Sequence, residues 1–241
     1  MNKKINTNSN TYIIIYSIVM VVIVAFLLAF VSKALQSRSD ANVAIDKKSQ
    51  ILASLNIRNL NTEQVEKTYS EVVVSDEILK QDGTIIDKGA DKDKSAFKMS
   101  SKDITANSLP LYVCKIKGQT KYVVPVYGMG LWGGLWGYIS INEDGNTIYG
   151  AYFSHESETA GLGALITEEK FQDQFKNKII FGSDNTVKLS VVKKGKVIDG
   201  LYNSSRCDAV TGATLTSNGV DAMLKTCLKN YVNIFNNLVK E

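Results

Sequence analysis

Apolar residues run almost without interruption from Tyr12 to Val31, and Ser17 is the only clearly polar side chain among them. At the helical rise this run spans about 30 Å, the thickness of a bilayer core. A secretory signal has a shorter apolar core of about 7–15 residues, although Ser32-Lys33-Ala34 loosely resembles a cleavage site. The pattern therefore predicts a short N-terminus over 1–11, a transmembrane helix over 12–31 and one large extramembrane part.

The segment 32–107 is predicted to be helical and rich in loops. Apolar residues from Ile45 to Leu55 recur near helical spacing. Asn61 or Thr62 is expected to cap a short helix that runs through Tyr69. Residues 82–107 are polar and charged, which is typical of surface loops.

From Leu109 onward the pattern changes to β-rich runs separated by turn residues. Strands are expected over 111–116, 121–127, 135–141 and 147–153, and a further hairpin over 187–192 and 196–198. Thr167 is expected to cap a helix through Phe175, and an amphipathic helix is expected from about Ser217 to Val239. Separate hairpins followed by helices predict an α+β fold over 108–241, with a mostly antiparallel sheet and flanking helices.

Composition excludes several classes of function. The net charge of +4 is modest and no Lys/Arg cluster stands out, which argues against nucleic-acid binding. One histidine and three cysteines without metal-ligand spacing predict no metal site. The cysteines are expected to be small buried residues, with Cys207 nearest to the candidate site. The chain lacks the G-x-S-x-G of many hydrolases, and Glu156 and Glu158 are expected at a solvated strand end.

A glycine-rich segment over 128–133 matches G-x-G-x-x-G, but a strand is predicted after it. A dinucleotide site needs a helix there, so the segment is not expected to be one. Its glycines instead allow the backbone to approach a flat ligand or form a bulge. Trp132 and Trp136 either flank that ligand or belong to the core.

The loop over 208–217 collects hydroxyl groups immediately before the last predicted helix. Unpaired N–H groups and the positive dipole end at a helix N-terminus stabilise a phosphate. A threonine there donates a hydrogen bond to the phosphate or carries it covalently. The alternative is an ordinary helix start, with Thr216 or Ser217 as the N-cap.

Three motifs resemble the FMN-binding domain family. Asp208-x-x-Thr211-Gly-Ala-Thr214 is similar to the family's flavinylation motif, and Glu158-Thr-Ala-Gly-Leu-Gly163 resembles its flavin-contact turn. Ala160 stands where the family usually has proline, so this turn has one restraint fewer on its backbone. The segment 127–132 resembles that of one branch, the C subunits of the Na⁺-translocating NADH:quinone reductases.

The resemblance implies a covalent cofactor. FMN would be joined to Thr214 through a phosphoester, placed there by a flavin transferase that uses FAD. The implied contacts are Asp208, Thr211, Gly212, Ala213, Leu215, Thr216, Leu131, Trp132, Glu158, Thr159, Gly161, Leu162 and Gly163. The chain would be a redox carrier with no catalytic residue beyond the flavin.

The resemblance also implies a location and partners. The partners would be the other membrane and soluble subunits of a complex that oxidises NADH, reduces quinone and pumps Na⁺. Charges on the two sides of the predicted span do not decide its orientation. The resemblance places the soluble domain on the outer, periplasmic side of the cytoplasmic membrane.

Three alternatives stay open. The first is the G subunit of the related Rnf ferredoxin:NAD complex, which has the same flavin chemistry. The second is a membrane-anchored flavin-binding module outside any pump. The third is a structural protein without cofactor, in which the hydroxyl-rich loop only caps a helix.

Overall fold

The computed structural model describes residues 7, 9–89, 95–198, 200 and 202–238. The chain divides into two compact units, Met1–Asp46 and Lys47–Glu241. The helix α1, Asn10–Ser54, begins in the first unit, and the apolar side chains of its N-terminal part are mostly exposed. Among the described residues α1 alone is long and apolar enough to cross a membrane, and the predicted span 12–31 lies inside it.

The second unit contains the last turns of α1 and the remaining elements. Its strands are β1 (Val73–Leu79), β2 (Ile85–Asp87), β3 (Leu109–Ile116), β4 (Gln119–Met129), β5 (Gly134–Asn142), β6 (Ile148–His155), β7 (Ser190–Val192) and β8 (Arg206–Asp208). Its helices are α2 (Thr62–Val72), α3 (Glu169–Gln172), α4 (Thr214–Leu228) and α5 (Val232–Leu238).

The described residues form one antiparallel sheet in the order β2-β1-β3-β4-β5-β6. The predicted strands β3 to β6 are confirmed, as is the mostly antiparallel sheet. Local turns fix their register: Lys117 and Gly118 both have positive φ between β3 and β4. This is the geometry of a two-residue hairpin whose twist matches the strands.

The sheet has a helical layer on each face. Val220, Met223 and Leu224 of α4 join the sheet residues in one buried core. On the other face, Ser140 Oγ of β5 donates to the carbonyl of Ser54 at the end of α1, where Ile51 and Leu52 are buried. The α4 face is the one that carries the candidate site, because the hydroxyl-rich loop leads directly into α4.

Two strands lie in the segment expected to be helical and loop-rich. β1 is an inner strand that pairs with β3, although its centre carries Asp76. That carboxylate is fully buried and accepts the N–H groups of Ser95 and Phe97 at 3.2 and 2.9 Å. The compact unit thus extends well before residue 108. The expected cap of α2 is confirmed, since Asn61 forms a capping box with Gln64.

The hairpin predicted over 187–198 is wrong. β7 pairs in parallel with β8 instead of folding back on 196–198. The guanidinium of Arg206 donates to the carbonyls of Lys193 and Lys196. The N–H of Lys196 also donates to the carbonyl of Lys193. A side chain distant in sequence therefore holds this loop, and 196–198 has no strand pairing.

Two predicted helices differ from those observed. Thr167 is not a cap, because its hydroxyl donates to the carbonyl of Ala164 at 2.9 Å and α3 begins after Glu168. The last helix does not run unbroken, since the 3-10 turn Lys229–Tyr231 separates α4 from α5. Tyr231 in that turn is buried and donates to the carbonyl of Pro110 at 2.8 Å.

Candidate functional site

The glycine-rich segment is the hairpin turn between β4 and β5. The N–H of Gly130 donates to the carbonyl of Gly133 at 2.8 Å, which closes a turn over 130–133, here called the tryptophan turn. Trp132 at its tip is 66% exposed and Leu131 is also exposed. The predicted strand after the glycines is confirmed, whereas a dinucleotide fingerprint needs a helix at this place.

Trp136 does not join Trp132. It lies on β5 one residue after Leu135, whose side chain faces α4. Successive strand residues point to opposite faces of a sheet. Accordingly, the indole N–H of Trp136 donates to Gln50 Oε1 of α1 at 3.2 Å. Of the two roles left open for the tryptophans, Trp136 thus has the structural one, in the contact between the sheet and the end of α1.

Glu158 holds a buried carboxylate between the tryptophan turn and α4. Only 7% of the residue is exposed. Its Oε1 accepts the N–H of Trp132 at 2.9 Å, and its Oε2 accepts the hydroxyl of Thr216 at 2.6 Å. Its own N–H donates to His155 Nδ1 at 3.1 Å. The expectation of a solvated strand end holds for Glu156, which is exposed directly after β6, and is wrong for Glu158, whose carboxylate and N–H make three hydrogen bonds inside the fold.

Two motif glycines make room for this carboxylate. A Cβ on Gly130 would lie 2.3 Å from Glu158 Oε1. A Cβ on Gly163 would lie 2.4 Å from Glu158 Oε2 and 2.5 Å from Thr216 Oγ1. The glycines of the two turns are thus needed by the carboxylate that connects them.

The ionisation of Glu158 gives a pH prediction. Burial alone would raise its pKa, but hydrogen bonds from Thr216 and the N–H groups of Trp132 and Leu131, with nearby His155, lower it below the usual 4.5. A carboxyl whose pKa is lower in the folded state adds stability that is present above pH 4.5 and lost as the pH falls through the folded pKa. We expect the stability difference between wild type and Glu158→Gln to shrink below about pH 4.5.

Chemical denaturation of both proteins between pH 3 and 7 measures their free energies of unfolding. The pH dependence of each free energy follows the difference in bound protons between the folded and unfolded states. Glu156→Gln is the control, because Glu156 is exposed and two residues away. A stability difference that stays constant across this range contradicts the prediction.

Helix α4 begins three residues earlier than the predicted start at Ser217. Its first residue is Thr214, its N-cap is Ala213, and no side chain caps it. Thr216 and Ser217 are not the caps: Thr216 donates to Glu158, and Ser217 Oγ accepts the N–H of Val210 at 3.0 Å. The first helical bond joins the N–H of Ser217 to Ala213, so the preceding N–H groups of α4 have no helical acceptor.

The loop before α4 is held at both ends. The side chain of Gln174 accepts the N–H of Asp208 at 2.9 Å and donates to its carbonyl at 3.4 Å. Gly212 has φ +81°, and a Cβ there would lie 3.2 Å from Leu162 Cδ2. The loop is therefore in contact with the turn that contains Leu162. Gln174 and His155 belong to no recognised motif, and only the fold reveals their contacts.

The structure gathers most of the predicted residues around the start of α4. Exposed at the surface are Leu131, Trp132, Thr159, Gly161, Leu162, Thr211, Gly212, Thr214 and Leu215. Buried beneath them are Glu158, Gly163, Ala213 and Thr216. Apolar side chains and the exposed hydroxyls of Thr159, Thr211 and Thr214 thus surround the uncapped helix end, and of these three only Thr214 belongs to α4.

Asp208 is set apart from this group. Its carboxylate lies 3.7 Å from the guanidinium of Arg206, and it borders a groove of about 490 Å³ that also includes Thr211 and Lys194. The backbone of Asp208, which is hydrogen-bonded to Gln174, begins the loop. Asp208 also lines this groove.

The three cysteines are free thiols. Burial raises the pKa of both Cys114 and Cys207 to about 12, although for Cys207 nearby Lys178 opposes the rise. Both thiols stay protonated near neutral pH. The prediction of small buried residues is confirmed for Cys114 and Cys207, whereas Cys227 is half-buried.

Comparison with known proteins identifies the fold and the family. Residues 130–229 match the family model described as FMN-binding domain. A crystal structure of the C subunit of Na⁺-translocating NADH-quinone reductase from Parabacteroides distasonis is 39% identical, with a TM-score of 0.76. The alignment covers 83% of this chain and 96% of that one.

Two further relatives agree. NqrC from Shewanella oneidensis is similar in fold, with a TM-score of 0.67, 23% identity, and coverage of 83% of this chain and all of that one. The C subunit of the same reductase from Haemophilus ducreyi is 29% identical over 92% of this chain and 91% of its own length. The match to the Parabacteroides protein over nearly its whole length shows that the chain belongs to the FMN-binding family of Na⁺-translocating NADH-quinone reductase C subunits.

Proposed function

We propose that this chain is the electron-transferring subunit of a Na⁺-pumping NADH:quinone reductase and carries FMN on Thr214 through a phosphoester. The observation that carries the attachment is the start of α4. Thr214 is the first helical residue, it is exposed, and no side chain caps the helix above it.

The residues present fit both ends of the cofactor. The free N–H groups of Thr214 and Leu215 and the helix dipole suit a phosphate. Ala213 contributes no N–H, because Val210 already accepts it. Exposed Leu131, Trp132 and Leu162, with Leu215 at 59% exposure, offer apolar surface to a flat ring. The full set of predicted contact residues stays part of this proposal.

The attachment is a phosphoryl-group transfer. Thr214 Oγ forms a bond to the phosphorus on the FMN side of FAD, and the bond between the two phosphates of FAD breaks. AMP leaves, and the hydroxyl proton passes to a base supplied by the flavin transferase. The chain itself contributes an exposed hydroxyl and the N–H groups that bind the product phosphate. Bound FMN then supplies one- and two-electron redox chemistry.

The proposal includes location and partners. Helix α1 supports a membrane-anchored subunit, with the soluble domain on the periplasmic side where the transferase acts. The neighbouring subunits of the complex would supply the sites for NADH, quinone and Na⁺. The covalent bond keeps the cofactor in a compartment where dissociation would lose it.

The test is in-gel flavin fluorescence after denaturation. The chain is expressed with and without a flavin transferase and separated under denaturing conditions. We expect a fluorescent band only with transferase, because a phosphoester survives unfolding whereas bound FMN dissociates. A band without fluorescence in the presence of active transferase rules out the covalent link. Purification of the tagged chain from membranes should recover the other reductase subunits, and their absence favours a free-standing flavin module.

A further inference from the structure

Attachment of FMN to Thr214 does not by itself explain why the carboxylate of Glu158 is buried. The family resemblance suggests a direct flavin contact, yet the residue is 7% exposed and both of its oxygens accept hydrogen bonds inside the protein. Burying a charge is costly unless it is fully hydrogen-bonded, so such a group needs a reason.

Glu158 connects segments that are far apart in sequence. Trp132 precedes it by 26 residues and Thr216 follows it by 58. Trp132 is at the tip of the tryptophan turn, and Thr216 is in the first turn of α4, two residues after Thr214. One carboxylate therefore sets the spacing between the exposed indole and the attachment hydroxyl.

The carboxylate is also fixed in orientation. Neither Gly130 nor Gly163 can carry a side chain without displacing one of its oxygens. The bond from the Glu158 N–H to His155 holds the backbone at the same place. A charge fixed this firmly acts on its surroundings without reorganising, which is how a protein tunes a redox group.

We propose that Glu158 is a positioning residue of the flavin site: it holds the tryptophan turn against the first turn of α4 and places a negative charge beneath the flavin. This inference rests on the proposed covalent FMN at Thr214. Reduction adds electron density to the ring, and a nearby negative charge in a medium of low dielectric opposes it. Glu158 therefore lowers the midpoint potential of the flavin.

The experiment compares Glu158→Gln, Glu158→Asp and the control Glu156→Gln in the full chain. Gln keeps the length and can still accept the Trp132 N–H, but it removes the charge. Asp keeps the charge, but it is one methylene shorter and cannot reach both partners. Glu156 is exposed and its carboxylate accepts the N–H of Gly134 at 3.2 Å, so its replacement removes a screened charge.

The three variants should separate charge from position. We expect Glu158→Gln to raise the midpoint potential of the labelled protein, measured by spectroelectrochemical titration. We expect Glu158→Asp to keep the low potential but to slow the initial rate of flavin attachment about tenfold or more, because the acceptor is displaced. Glu156→Gln should match wild type in both.

Amide hydrogen exchange tests the positioning in the protein without flavin. In Glu158→Asp the segments 130–133 and 214–217 should exchange about tenfold faster than in wild type, since a hydrogen bond to a charged group is lost. Unchanged exchange in Glu158→Asp, or equal potentials in Glu158→Gln and Glu156→Gln, overturns the inference. Absence of labelling in wild type instead contradicts the proposed function, and exchange still decides the role of Glu158.

Discussion

Thr214→Ala is expected to carry no flavin through denaturation, whereas wild type made with flavin transferase gives a fluorescent band. The reason is chemical, because alanine has no hydroxyl to form the phosphoester. The fold should survive, since Thr214 is exposed and alanine is favourable in a helix. In-gel fluorescence and the intact mass of the protein measure the loss, which should be complete.

Two matched variants serve as controls for Thr214→Ala. Thr214→Ser keeps a hydroxyl at the same position and should be labelled. Thr211→Ala removes the other exposed threonine of the motif and should only weaken labelling, because Thr211 lies in the turn before α4. Equal labelling of wild type and Thr214→Ala would move the attachment site to another residue, which peptide mass spectrometry would then locate.

The strands that sequence predicts correctly are those whose signals are local. β3 to β6 combine alternating apolar residues with turn residues at their ends, as at Gly118, and each pairs with its neighbour in sequence. The pairing of these strands needs neither a contact from a residue distant in sequence nor a long crossover connection. Periodicity and turn chemistry are therefore enough.

The elements that sequence misses depend on distant partners. β1 contains Asp76, which breaks the apolar pattern and becomes acceptable in a strand only when Ser95 and Phe97 supply N–H donors. β7 finds its partner in β8, beyond a long loop fixed by Arg206. No local propensity reports such contacts.

In the candidate site, too, the local features are predictable from the sequence and the features that depend on distant contacts are not. The motif residues around Thr214 are visible in the sequence, but the start of α4 is not. Thr216 is a good capping residue by type, yet its hydroxyl donates to Glu158, which is 58 residues away in sequence. This contact, together with the bond from the Val210 N–H to Ser217, removes both expected caps and leaves the helix end open at Thr214. Sequence analysis thus predicts which residues take part, while the fold decides which hydroxyl is free.

Gly219→Ala is expected to destabilise the protein, although the same change in most helices is stabilising by about 1 kcal/mol. Gly219 lies in α4 where the helix packs against the end of β4. A Cβ there would lie 2.4 Å from the backbone carbonyl of Met129 and 3.2 Å from Gly130 Cα. Backbone cannot move aside as a side chain does, so overpacking should cost about 1–3 kcal/mol.

Chemical denaturation of the detergent-solubilised chain, followed by tryptophan fluorescence, measures this cost. Asn218→Ala is the control, because Asn218 is the exposed neighbour in the same helix and its replacement should leave stability equal or slightly higher. A Gly219→Ala protein as stable as wild type would show that α4 can withdraw from the sheet at no cost. If α4 instead shifts under strain, Thr214 shifts with it, and flavin attachment should slow in Gly219→Ala while Asn218→Ala labels at the wild-type rate.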